Sequence, residues 1–263
     1  MKSSISIVLS LLGLASSSGA VVLFSDSFTV TGTPNTYDLN YNNSGRQGGT
    51  QATQTWTPSA NVQIGNNSVF GGDGNYLMVA DGAGNGRLSG LSLSSALVGS
   101  NEQLVIQFDA DAVGDGDQWM SFMISPSSGS GLWHPVVGSG DFGMLIRPNG
   151  NIQAFNNGAI VGGINDFSLA SAGMNTITLT FSGADGTGSP FAGLGTRVSI
   201  SDGTNSWNAN LDTGFTAETI SFGNYASGGR GYVDNLSIYT VPEPSISLIG
   251  GLGLFAILRR KRN

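Results

Sequence analysis

The run Asp109-Ala110-Asp111-Ala112-Val113-Gly114-Asp115-Gly116-Asp117 gathers four carboxylates into nine positions. Carboxylate oxygens so spaced are the hard ligands that calcium takes. The run does not fit an EF-hand loop, because Val113 stands at a ligand position and no glutamate closes it. A strand ending in a solvated acidic turn is the plainer reading of the same residues.

Acid–base chemistry has few candidates. Glu102 and Glu218 are the only glutamates between residues 21 and 240, and nothing in the sequence pairs them. Glycoside hydrolysis needs two carboxyls roughly 5–10 Å apart, one with a raised pKa. The single histidine, His134, lies in Trp133-His134-Pro135 and reads as a loop residue. Without cysteine, one histidine makes neither a zinc site nor a convincing catalytic triad, and thiolate nucleophiles are excluded. No catalytic constellation is visible; aspartates remain as substitutes.

The elements that must position these groups are strands. The chain holds 41 glycines and much Ser, Thr and Asn, and its apolar runs have strand length rather than helix length. The best candidates are Val22 to Phe28, Tyr76 to Ala80, Gln103 to Ala112, Trp119 to Ile124, Phe142 to Arg147 and Asn151 to Phe155. Thr176 to Phe181, Arg197 to Ser201, Ser206 to Ala209, Thr219 to Phe222 and Gly231 to Tyr239 complete the set. Leu104, Ile106, Phe108 and Ala110 alternate with polar neighbours, as do Ile177, Leu179 and Phe181, which marks antiparallel sheets with one solvated face. Asn149-Gly150 and Asp202-Gly203 are hairpin signals of the type I′ kind, in which both central residues take positive φ. Two packed antiparallel sheets follow.

Both ends differ from this middle. Met1-Lys2, the apolar stretch Ile5 to Leu14 and the small residues Ser18-Gly19-Ala20 read as a signal peptide over 1–20, cleaved after Ala20. At the other end, Pro242 and Pro244 set off an uncharged stretch, Ser245 to Leu258, from the strands before it. Its 14 residues reach about 21 Å as a helix, short of the ~30 Å hydrocarbon core. Arg259, Arg260, Lys261 and Arg262 close the chain, and the positive-inside rule keeps them cytoplasmic with the rest outside. An ordinary membrane anchor and a sorting signal both fit these features.

Between the two ends lie five arginines, no lysine and sixteen acidic residues, for a net charge of −11. Phosphate binding needs clustered cations, so nucleic acid is excluded as a partner. An exported chain of this size without cysteine depends on its core and not on disulfides.

The tail, Pro242-Glu243-Pro244 with Gly250, Gly251, Gly253 and the basic end, closely resembles the PEP-CTERM sorting signal. The resemblance implies a 241–263 sorting segment, recognition by an exosortase-like membrane protease and transient anchoring in the inner membrane. It further implies delivery to the cell surface or extracellular matrix of a Gram-negative bacterium. The 21–240 region resembles the concanavalin-like or laminin-G-like jelly-roll domains, through Phe24-Ser25-Asp26-Ser27-Phe28, Arg147-Pro148-Asn149-Gly150-Asn151 and Tyr232-Val233-Asp234-Asn235-Leu236-Ser237-Ile238. That resemblance implies an all-β, antiparallel two-sheet jelly-roll sandwich with its first and last strands adjacent. It brings Asp26 and Asp234 together as carboxylates for a structural Ca2+. The Glu-x-Asp-x-x-Glu strand of many jelly-roll glycanases is absent.

Jelly rolls that bind carbohydrate stack aromatics on sugar rings and hydrogen-bond the hydroxyls with amides and charged groups. Trp133, Trp119, Gln107 and Arg147 are the residues of this chain suited to that use, although a sandwich tryptophan also serves as core. The resulting expectation is a non-catalytic module binding exopolysaccharide. A structural or adhesive matrix protein is the alternative, and a glycan-active enzyme comes third. A cluster of aromatics on one sheet face would favour the first, and a uniform Thr/Ser/Asn face the second.

Overall fold

A computed structural model describes residues 19–28, 37–38, 56–58, 62–65, 76–79, 87–115, 118–126, 141–162, 167–193, 195–212, 214–225 and 229–243. All regular elements among them are strands, so no described helix is long and apolar enough to cross a membrane. In chain order they are β1 (Val21–Asp26), β2 (Tyr37–Asp38), β3 (Thr57–Pro58), β4 (Val62–Gly65), β5 (Tyr76–Val79) and β6 (Arg87–Ser94). Then follow β7 (Glu102–Val113), β8 (Trp119–Ser125), β9 (Phe142–Ile146), β10 (Asn151–Asn156), β11 (Ala159–Ile160) and β12 (Phe167–Ser168). The last are β13 (Asn175–Gly183), β14 (Thr196–Ser201), β15 (Ser206–Leu211), β16 (Ala217–Tyr225) and β17 (Arg230–Pro242).

These strands form two antiparallel sheets. The larger runs β15-β14-β13-β7-β17-β5-β4-β2, with β1 also on β17; the smaller runs β11-β10-β9-β8-β16-β6-β3, with β12 also on β10. The chain crosses between sheets at β2–β3, β3–β4, β5–β6, β6–β7, β7–β8, β12–β13, β15–β16 and β16–β17, giving a jelly-roll sandwich. β17 is the hub of the larger sheet. One of its edges pairs with β7, while the other serves β5 at Gly231–Val233 and β1 at Leu236–Thr240. First and last strands are therefore adjacent, as the resemblance implies. β17 also continues to Pro242, which faces Glu102 on the final rung, a position where proline's missing donor costs little.

The core lies between the sheets. Alternate residues of β7, β13 and β17 meet those of β8, β9 and β16: Phe108 stacks on Phe122 with ring centroids 5.3 Å apart and meets Phe222 edge-on at 5.1 Å. Each such fully buried side chain contributes about 1.5–3 kcal/mol. At Gly231 the sheets approach so closely that a Cβ would stand 2.7 Å from Met120 Cβ.

Both expected hairpins form, with a different turn. At Asn149-Gly150 only Gly150 has positive φ, 84°, and the Gly150 N–H donates to Arg147 O over 2.9 Å. This is a three-residue loop beginning with Pro148, whose ring presets the first turn position and whose glycine takes the left-handed one. At Asp202-Gly203, again only the glycine is left-handed, with φ 85°.

Candidate functional site

The two sheets present different outward faces. On the larger sheet the outer positions of β13, β14 and β15 carry Thr176, Thr178, Thr180, Ser199, Ser201, Asn208 and Asn210 in adjacent rows. This face is exposed or half-buried, the solvated face expected from the alternation. Gln107 belongs to it, donating from Nε2 to Thr178 Oγ1 over 3.1 Å.

The smaller sheet departs from that pattern. Every residue of β8 and β9 is buried, so the sheet is covered on both faces. Its outer positions include Trp119, Ser121, Leu145, Gln153 and Phe155. Trp119, Leu145 and Phe155 form an apolar cluster separate from the main core. The register extends this cluster with polar groups: Leu145 pairs with Gln153 on β10 and with Ser121 on β8. Arg147, half-buried, stands one rung beyond the Met120–Ile146 pair, beside Trp119. An indole, a guanidinium, an amide and a hydroxyl thus share one patch. Of the four residues singled out for sugar binding, Trp119 and Arg147 are brought together; Gln107 is on the opposite side of the sandwich, and Trp133 lies outside the described residues. Gln153 completes the patch.

The expected metal carboxylates part company. Asp26 pairs with Leu236, whose side chain is in the core, and turns inward. Its Oδ1 accepts the Phe28 N–H over 2.7 Å and its Oδ2 the Trp56 indole N–H over 3.0 Å. Asp234 is the cross-strand partner of Asp109 and turns to the outer face. There Asn235, with φ 50°, donates its backbone N–H to Asp234 Oδ1 over 2.8 Å and its side-chain Nδ2–H to Asp109 Oδ2 over 2.8 Å. Thr176 adds a 2.5 Å hydrogen bond to Asp109 Oδ1. Asp111, two rungs further along beside Tyr232, has its carboxyl held above the usual range by burial. Among the described residues no three His, Cys, Asp or Glu side chains converge as a metal centre; Asp117 of the acidic run lies outside them.

Glu102 and Glu218 do not meet. Glu102 caps a surface turn, accepting the Gly99 N–H over 2.9 Å. Glu218 is 1% exposed, and burial together with the neighbouring Asp141 carboxyl pushes its pKa up to about 9. This pair was not visible in the sequence, where 77 positions separate the two.

No family model matches the chain, and no curated protein matches it. Several solved structures resemble it. The metal-free carbohydrate recognition domain of Emp46p is 12% identical over 72% of this chain and 88% of its own, with a TM-score of 0.46. Arcelin-5, a lectin-like defense protein from Phaseolus vulgaris, is 12% identical over 73% of this chain and 100% of its own, at 0.44. An endo-β-1,4-glucuronan lyase from the fungus Trichoderma reesei is 13% identical over 82% of this chain and 94% of its own, at 0.44. The class of the protein, an all-β jelly-roll sandwich, is defined by its own two sheets.

Proposed function

We propose that the sandwich is a non-catalytic carbohydrate-binding module that engages exopolysaccharide at the half-buried Arg147, where the β9–β10 hairpin borders the covered outer face of the smaller sheet. The observation carrying this reading is the patch in which Arg147, Gln153 and Ser121 surround the Trp119–Leu145–Phe155 cluster. Trp119, Leu145, Phe155, Ser121 and Gln153 are themselves buried, so a sugar, with its apolar CH faces and hydroxyl edges, would meet this patch at its Arg147 border. Catalysis fits less well, because Glu218 and Asp141 are in contact and Glu218 is buried, whereas hydrolysis needs accessible carboxyls roughly 5–10 Å apart.

In this reading the module belongs to an exported surface or matrix protein. Residues 1–20 direct export, and the segment from Pro242 engages an exosortase-like protease. Both the leader up to residue 18 and the tail beyond Glu243 lie outside the described residues. A second reading, an adhesive matrix protein without glycan binding, is favoured by the Thr/Ser/Asn face of the larger sheet.

The test is binding of the whole chain, in mild detergent, to a polysaccharide panel that includes the host's own exopolymer. Saturable binding without release of reducing ends supports the module. Loss with chelator adds a calcium requirement. Release of reducing ends makes it an enzyme, and no binding to any glycan supports the adhesive reading.

A further inference from the structure

Glu218 sits near one end of β16, on the same face as Ile220 and Phe222 of the core. It is 1% exposed. Its Oε1 accepts only a long 3.3 Å hydrogen bond, from the Thr216 N–H, and its buried Oε2 meets no donor. What lies against it is a second acid, Asp141, at the entry to β9. The register brings the backbones near each other: Phe142 pairs with Ile124, and Ile124 with Ile220, so Asp141, just before β9, lies diagonally across the end of β8 from Glu218.

Among the described residues no cation is found against the pair. On the flanking strands the neighbours are Leu93 and Ser94 of β6 and Ile124 and Ser125 of β8. Across the core, β17 presents Val233, Leu236, Ile238 and Thr240. The β15–β16 connection adds another acid, Asp212. Among the described arginines, Arg197 lies against Gly186, Arg87 pairs with Gly223 towards the other end of β16 from Glu218, Arg147 follows β9 at the end away from Asp141, and Arg230 begins β17. A buried carboxyl lying against a second acid is strongly disfavoured as an anion, which keeps the proton on Glu218.

We propose that the buried Glu218 carboxyl donates a hydrogen bond to the Asp141 carboxyl and so forms a latch tying the β15–β16 connection to the entry of β9, closed in acidic and neutral media and released in alkali. The latch is independent of the glycan-binding reading. Asn156 supports it from the other side. Its side chain is 7% exposed, donates to the Asp141 carbonyl over 2.5 Å and accepts the Asp212 N–H over 3.0 Å, holding the same two segments together.

The sign follows from linkage. A carboxyl whose folded pKa lies near 9 against 4.5 unfolded binds its proton more tightly in the folded state. Its contribution is complete below the unfolded value and declines as pH rises toward the folded one. The experiment is thermal unfolding of the full chain from about pH 5 to about pH 10, for the wild type and for Glu218→Gln, whose amide can donate to Asp141 but cannot ionise. The expected result is a Tm that falls with pH in the wild type and a markedly flatter profile in the variant. An equally steep fall in both overturns the latch. Should the variant not fold, carbon-13 NMR of the Glu218 carboxyl in the wild type decides: titration above neutrality supports the latch, and titration in the ordinary carboxylate range overturns it.

Discussion

The Trp56 indole donates its N–H to Asp26 Oδ2 over 3.0 Å in the interior of the sandwich, where Trp56 is 4% and Asp26 1% exposed. Around this bond Trp56 meets Phe24, Phe28 and Phe222 at centroid distances of 6.1, 6.4 and 6.3 Å. The carboxylate thus ties the end of β1, at the Phe28 N–H, to the aromatic core shared with the smaller sheet. Replacing Trp56 by Phe leaves a buried acceptor short of one donor, and we expect a loss of about 1–3 kcal/mol. Urea unfolding checks this, and an unchanged midpoint would mean that the bond contributes nothing.

Gly231→Ala probes the closest approach of the sheets. The added methyl would stand 2.7 Å from Met120 Cβ, so one strand has to shift to admit it. Overpacking of this kind costs about 1–3 kcal/mol. The midpoint of denaturant unfolding should drop accordingly, whereas Gly173→Ala, with nothing within 4 Å, tests backbone strain alone at φ 97°.

Asp202 sets the acid limit of the β14–β15 hairpin. Desolvation raises its pKa, but the N–H groups of Asn205, Ala170 and Thr204 outweigh that and hold it below the usual range. The last two bonds measure 2.6 and 2.9 Å, and the Asn205 bond 2.6 Å. A depressed folded pKa stabilises above the unfolded value and is lost as pH falls through the folded one. Asp202→Asn should therefore narrow the difference in Tm between about pH 6 and about pH 3. An unaltered difference would show that the carboxylate's charge is irrelevant to the hairpin.

Much of this fold was legible beforehand. All eleven expected strands are present, because their alternation records one buried face per strand, as in Leu104, Ile106 and Phe108. β6 was missed because Arg87-Leu-Ser-Gly-Leu-Ser-Leu-Ser94 is broken by Gly90, and the register with β16 shifts at that point. Turn type was misread because Asn149 and Asp202 precede glycines without sharing their left-handed φ. The burial of both faces of β8 departs from the one solvated face expected, in a strand, Trp-Met-Ser-Phe-Met-Ile-Ser, whose apolar residues do not alternate strictly. Adjacency of β1 and β17 followed from the resemblance, yet strand neighbours place side chains by parity, and a bulge between Asp234 and Ser237 set Asp26 and Asp234 on opposite faces. Glu218 and Asp141 meet through registers of three strands, information that no local pattern carries.

Arg147→Ala should weaken glycan binding about tenfold with little change in fold, since Arg147 is half-buried and its hairpin is held by its backbone N–H, bonded to Asn151 O at 3.0 Å. Stability is checked by the same urea titration, and a collapse of the fold would assign Arg147 a structural role.

The most direct test of the glycan-binding account is a paired affinity measurement on the full chain, using calorimetry with the polysaccharide it binds most tightly. Arg147→Ala alters the border of the smaller sheet's outer face, and Thr178→Ala the outer face of the larger sheet. The account predicts weaker binding in the first and wild-type binding in the second. Loss confined to Thr178→Ala, or no saturable binding of the wild type to any glycan, would contradict it.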